Sequence, residues 1–155
     1  MEITLELQIL GKIVVAAILG GLVGIEREFA ERPAGLRTHM LVGATAAFFV
    51  LLADYMVSSF EPKSIITADP VRVVEAIVVG ISFLGAGTIL KYREEGQRVV
   101  EGLTTSASIL SVAAIGIAVA LGAYILAAGV AIMNLGINWG LMYLISRLSQ
   151  NKHKP

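Results

Sequence analysis

A chain of 155 residues that is 56% hydrophobic and 15% charged, with a mean hydropathy of +0.80, lies outside the range of soluble domains. Its formal net charge of zero gives no reason to expect nucleic acid as a partner. Without cysteine it has no disulfides, thiol redox chemistry or thiolate metal sites, and two histidines, His39 and His153, cannot alone make a zinc site.

The pattern predicts an all-α polytopic membrane protein, a single transmembrane domain over residues 1–155 with five spans. The N-terminus carries Glu2 and Glu6 instead of a basic region, so the first apolar run reads as a retained helix, not a signal peptide. Helix 1 is expected over about 7–25. Lys12, Ala16, Gly20 and Gly24 recur every fourth residue, which predicts a close packing seam with Lys12 snorkelling to a near interface. A loop of mixed charge follows, in which Glu26, Arg27 and Glu28 sit at a helix end where they can pair with the next loop.

Helix 2 is expected over about 38–57, with Asp54 as its one intramembrane charge; such a group is either a functional candidate or simply hydrated near the interface. Helix 3 is expected over about 70–90. Asp69 can accept a backbone N–H as N-cap, and Pro70 at the first helical position loses no hydrogen bond. Ala76, Gly80 and Gly87 predict a helix buried among other helices. Asp69, Arg72 and Glu75 are three apart and can pair on one face. They form either a structural clip or, together with Lys12 and Asp54, a polar mouth on the outer side.

A second loop of mixed charge is expected from Tyr92 to helix 4, at about 103–120. Leu121-Gly122 turns tightly into helix 5, at about 123–148. That helix carries Asn134 and Asn138 on one face, Gly136-x-x-x-Gly140 as a weak dimerisation pattern, and Trp139 and Tyr143 toward an interface.

Nine of the twelve Lys and Arg residues fall after helices 1 and 3 and in the C-terminal tail; the other three are Lys12, Lys63 and Arg72. The positive-inside rule then places the N-terminus outside and the C-terminus in the cytoplasm, across a prokaryotic inner membrane. A shift of 67 residues sets Gly35 on Gly102, Leu36 on Leu103 and Thr38 on Thr105. This predicts a parallel repeat of helices 1–2 and 3–4, with the cytoplasmic starts of helices 2 and 4 converging. Helix N-termini beside an arginine favour anions, including a partner's carboxylate or phosphate. Arg37, Thr38, Thr104 and Thr105, with Glu26, Arg27 and Glu28, are therefore the candidate functional surface; helix capping is the plainer role for the threonines.

The segments GGLVGIERE, PAGLRTHMLVG, DPVRVVEAIVVGISFLGAG and VEGLTTSASILSVAAIGIAVALG, in this order from about Gly20 to Gly122, resemble the blocks of the MgtC/SapB membrane-protein family. The chain departs from the family pattern in lacking glutamine near Ala76, glycine at Ser82 and tryptophan at Leu110. Many members continue into a cytoplasmic ACT-like domain, whereas this sequence ends at Pro155. The resemblance implies a role in growth under magnesium limitation and in bacterial survival inside host cells, with inhibition of the membrane ATP synthase described for members.

No phosphate-binding loop, metalloprotease spacing or Ser/His/Asp set argues for an enzyme. No cofactor is expected, and Mg2+ enters only through the resemblance. Two readings stay open. One is a regulator that binds other membrane proteins, or a second copy of itself, through small-residue faces. The other is a carrier or channel for magnesium or another cation. Magnesium wants carboxylates and retained water, and the acids here cluster at the ends of the spans, which favours the regulator.

Overall fold

The computed structural model describes residues 3–59, 69–94 and 97–140. Five helices dominate: α1 (Ile3–Phe29), α2 (Leu36–Ser59), α3 (Pro70–Gly87), α4 (Leu103–Ala120) and α5 (Tyr124–Leu135), which continues as one π-helical turn over Gly136–Gly140. The first four are long and apolar enough to cross a membrane, and the stretch 124–140 is shorter. The rest of the expected fifth helix, with Tyr143, lies outside the described residues.

The core is a three-helix stack of α1, α2 and α4, held at close range by small residues. A Cβ built on Gly20 would lie 2.5 Å from the His39 carbonyl oxygen, and one on Gly43 would lie 2.8 Å from the Ala16 carbonyl oxygen. On α4, Gly116 abuts the Gly43 carbonyl in the same way. Ala16, Val23, Ala47, Val112, Ile115 and Val119 are fully buried around these crossings. In lipid, helices gain nothing from apolar burial against each other, so such backbone-to-backbone fit decides which pairs hold. The expected seam on α1 is therefore a real packing surface. Lys12 departs from expectation: its Nζ donates to the Ala120 carbonyl at 2.9 Å, satisfying a C-terminal carbonyl of α4 at the negative end of that helix's dipole.

Three other expectations need correction. First, α3 is peripheral instead of buried. Only Ile77 and Gly85 are buried, and Gly80 and Gly87 have open space around their Cα atoms. Second, α1 runs on to Phe29, so Glu26, Arg27 and Glu28 belong to its last turns and not to a loop. Third, the all-α bundle holds one short strand pair between α3 and α4. Where a charged loop was expected, β1 (Leu90–Glu94) and β2 (Gln97–Glu101) pair as an antiparallel hairpin. It begins so early because α3 stops at Gly87, where both the N–H (3.0 Å) and the hydroxyl (2.8 Å) of Thr88 donate to the Gly85 carbonyl. The hairpin returns through Gly102, whose φ of 87° suits glycine alone and whose Cα faces the Thr88 carbonyl too closely for any side chain.

Against α4 and α1, α5 packs with Ala127 and Ala131 buried, and Asn134 donates from Nδ2 to Ser111 Oγ at 2.8 Å. This bond ties α5 to α4.

Candidate functional site

Gly24 brings the end of α1 onto the start of α2: a Cβ there would lie 2.8 Å from His39 Cβ and 2.9 Å from Leu36 Cα. This approach draws Glu26 and Arg27 inside, at 3% and 5% exposure. Neighbours in a helix do not normally face each other, yet these two long side chains fold together. Arg27 donates from Nε to Glu26 Oε2 at 2.6 Å and from Nη2 to Oε1 at 3.0 Å. The two-pronged pair leaves no net charge in a water-poor position, which makes burial tolerable. Two residues on, Glu28 Oε2 accepts the Leu36 N–H at 2.9 Å. Thus α1 supplies a carboxylate cap to the N-terminus of α2, and Gly35 is small because that carboxylate lies against it.

His39, fully buried one turn into α2, was absent from the residues singled out in the sequence. Its Nδ1–H donates to the Gly35 carbonyl at 2.8 Å, and its Nε2 lies 3.0 Å from Ser108 Oγ on α4. Ser108 Oγ also lies 2.9 Å from the Thr105 carbonyl. Carbonyl oxygens at both ends of this chain can only accept. A neutral ring and one hydroxyl hold two protons for the three links, so Ser108 donates either to Nε2 or to Thr105. The starts of α2 and α4 do converge, joined by His39 and Ser108 instead of by Thr38 and Thr105.

The expected surface set therefore divides. Glu26, Arg27 and Thr105 are interior, and Glu28 is an intramolecular cap. Arg37, Thr38 and Thr104 are exposed. Arg37 and Thr38 line an open hollow of about 530 Å³ with Glu28, Glu31, Arg32 and Gly35. Neither threonine caps its helix. Gly102 stands at the N-cap of α4 with no side-chain bond, and the carboxylate that an anion would imitate at α2 is already provided by Glu28.

At the other end, Lys12 and Asp54 line one narrow cleft of about 120 Å³ with Gln8, Tyr55 and Ser58. Asp69 caps α3 through the Val71 N–H at 2.9 Å. Arg72 Nε stands 4.0 Å from Asp69 Oδ2 with both side chains exposed, a pair that solvent leaves weak. Arg72 and Glu75 form no ion pair. Arg72 opens instead onto a separate apolar groove of about 670 Å³ between α2 and α3, floored by Ala76, Ile77 and Gly80 and walled by Phe49, Leu52 and Met56. The residues expected to form one polar cluster are thus split between two separate hollows. Among the described residues no three of His, Asp and Glu gather into a group that could hold a metal ion.

Comparison with known proteins gives the family context. The model of the MgtC family matches residues 13–147. Protein MgtC of Brucella abortus (strain 2308) is 40% identical over 135 residues, covering 86% of this chain and 51% of that protein. Protein SapB of Bacillus subtilis (strain 168) is 34% identical over 116 residues, 75% of this chain and 49% of its own. YhiD of Escherichia coli is 38% identical over 113 residues, 73% of this chain and 51% of its own; it is described as a proposed magnesium transporter in strain K12 and as uncharacterized in O157:H7. The chain thus spans about half the length of these curated relatives. No solved structure matches.

Proposed function

This chain belongs to the MgtC family of membrane proteins, and from that premise we propose that it regulates magnesium and energy homeostasis by binding another membrane protein, without enzymatic chemistry. The observation that carries this reading is the state of α3. Its Ala76–Gly80 face, the kind of surface that lets helix backbones approach closely, is left open beside the groove it forms with α2. The groove offers a foreign helix apolar walls and a floor of small residues. The membrane ATP synthase is the partner that the family resemblance brings forward. In this reading the chain is a multi-pass protein of a prokaryotic inner membrane with its N-terminus outside. Helices α1–α2 and α3–α4 form a parallel repeat, for which the helix starts at Leu36 and Leu103, 67 residues apart, give support.

The test is affinity capture from native membranes with the wild type and with Gly80→Leu. The expected outcome is a co-purifying membrane protein that the variant loses while it keeps its own thermal stability. Capture unaffected by the substitution would remove α3 as the docking face. A second reading, passage of magnesium, is favoured by the description of the E. coli K12 relative and by Asp54 in a polar cleft. Liposomes containing only the purified protein decide it: magnesium flux above that of protein-free vesicles supports transport and counts against the regulator.

A further inference from the structure

The hairpin between α3 and α4 sorts its charges by face. Residues of an antiparallel ribbon alternate sides, so the register pairs Lys91 with Val100 and Arg93 with Arg98 on one face, and Tyr92 with Val99 and Leu90 with Glu101 on the other. The hydroxyl of Tyr92 donates to Glu101 Oε1 at 2.9 Å, which places that acid on the second face and occupies it there. Lys91, Arg93 and Arg98 therefore share a face that Glu101 does not neutralise, and all three are exposed.

Two arginines directly opposite each other, with Cα atoms about 5 Å apart, repel and weaken a hairpin. Positive-inside topology explains why cations lie on this side of the membrane, but it is met equally well by cations spread over any loop. It does not explain their assembly on one face, nor a guanidinium placed across from a guanidinium. An anion with several oxygens between the two forks removes the repulsion and makes paired, charge-assisted hydrogen bonds. The position names its source. The ribbon begins at Leu90, three residues past the end of α3, and ends one residue before Gly102 and the start of α4. It is thus pinned at the level of lipid headgroups, where anionic lipid attracts basic side chains.

We propose that the Lys91/Arg93/Arg98 face is a binding site for the phosphate of an anionic phospholipid, with Arg93 and Arg98 as the clamp. The site is separate from the α2/α3 groove and does not depend on the partner proposed there.

The experiment is native mass spectrometry of the full chain, released from nanodiscs of mixed phosphatidylglycerol and phosphatidylcholine. Arg93→Gln/Arg98→Gln is the test variant. Lys152→Gln/Lys154→Gln removes as much charge from the same predicted side and is the control. The test variant relieves a repulsion, so the hairpin should survive. Retained phosphatidylglycerol should fall about thirtyfold in the test variant, the scale expected for losing two interfacial cations, and stay near wild type in the control. An equal fall in both variants, or no fall in the test variant, overturns the clamp. Displacement of the lipid by millimolar inorganic phosphate would overturn the lipid as source and leave a soluble anion in its place.

Discussion

Replacing Gly20 by alanine would put a Cβ 2.5 Å from the His39 carbonyl oxygen and 3.0 Å from Val112 Cγ1. The first neighbour is helix backbone and cannot swing aside, so α1 must back away from α2 by roughly 0.5–1 Å. A gap of that size forfeits about a quarter to a half of each dispersion contact along the seam. Overpacking of this kind costs about 1–3 kcal/mol, or roughly 2–12 °C in melting temperature for a chain of this size. Gly80→Ala is the matched control, because nothing lies within 4 Å of its new Cβ. The same methyl there should leave the melt unchanged, or raise it through the ~1 kcal/mol helix preference of alanine over glycine. Thermal unfolding in detergent, followed by far-UV circular dichroism, reads both. If Gly80→Ala lowers the midpoint as much as Gly20→Ala, α3 is packed against the bundle and the reasoning fails.

Glu28→Ala should destabilise the chain by about 1 kcal/mol, the worth of a helix N-cap, while Glu28→Gln keeps an acceptor oxygen and most of that stability; equal losses in detergent melts would mean that charge, not the Leu36 hydrogen bond, is what matters. Ser108→Ala removes the partner of His39 Nε2 in a fully buried site and should cost about 1–3 kcal/mol. Ser108→Thr, which restores the hydroxyl, should recover part of the loss, and a Thr variant no better than Ala would argue against the hydrogen bond. Asp69→Ala should lower the melting temperature more than Arg72→Ala, since only the first removes a cap on α3; the reverse order would give Arg72 a partner other than Asp69.

Much of the fold was legible because its helices are punctuated by residues with local jobs. Asp69-Pro70 marks the start of α3, and the limits of α4 follow from Gly102 and the Leu121-Gly122 turn. The every-fourth-residue pattern on α1 predicted a seam, and the seam exists. The same logic failed for Ala76 and Gly80, because small residues state that a face can be approached closely, not that this chain supplies the approaching helix. The hairpin was hidden because its alternation sets basic side chains against Tyr92 and Val99, so it has no apolar face to betray a strand. The Glu95-Gly96 pair between the two segments, with the β-formers Tyr92, Val99 and Val100 around it, was the available signal. In the candidate site, Glu26–Glu28 stood out by charge, but their burial did not, since it depends on Gly24 admitting α2. His39 was missed for a related reason. Its hydrogen-bond partner lies 69 residues away, and no local spacing reveals such a pair.

These observations describe a division of labour within one small bundle. Bonds that reach across it tie α1, α2 and α4: Lys12 to the end of α4, Glu28 to the start of α2, and His39 to Ser108. Each would have to break for those helices to move apart. In contrast, α3 has no such side-chain bond to α1, α2 or α4 among the described residues: it packs on α4, where Gly85 meets Ser106, and on α2, buries only Ile77 and Gly85, and joins α4 through the turn where Gly102 meets Thr88. Since apolar burial gives no preference between lipid and protein around a membrane helix, a partner that packs on the Ala76–Gly80 face displaces only lipid. It need not break a bond inside the chain. The cost of docking there would therefore be confined to ordering the partner and α3.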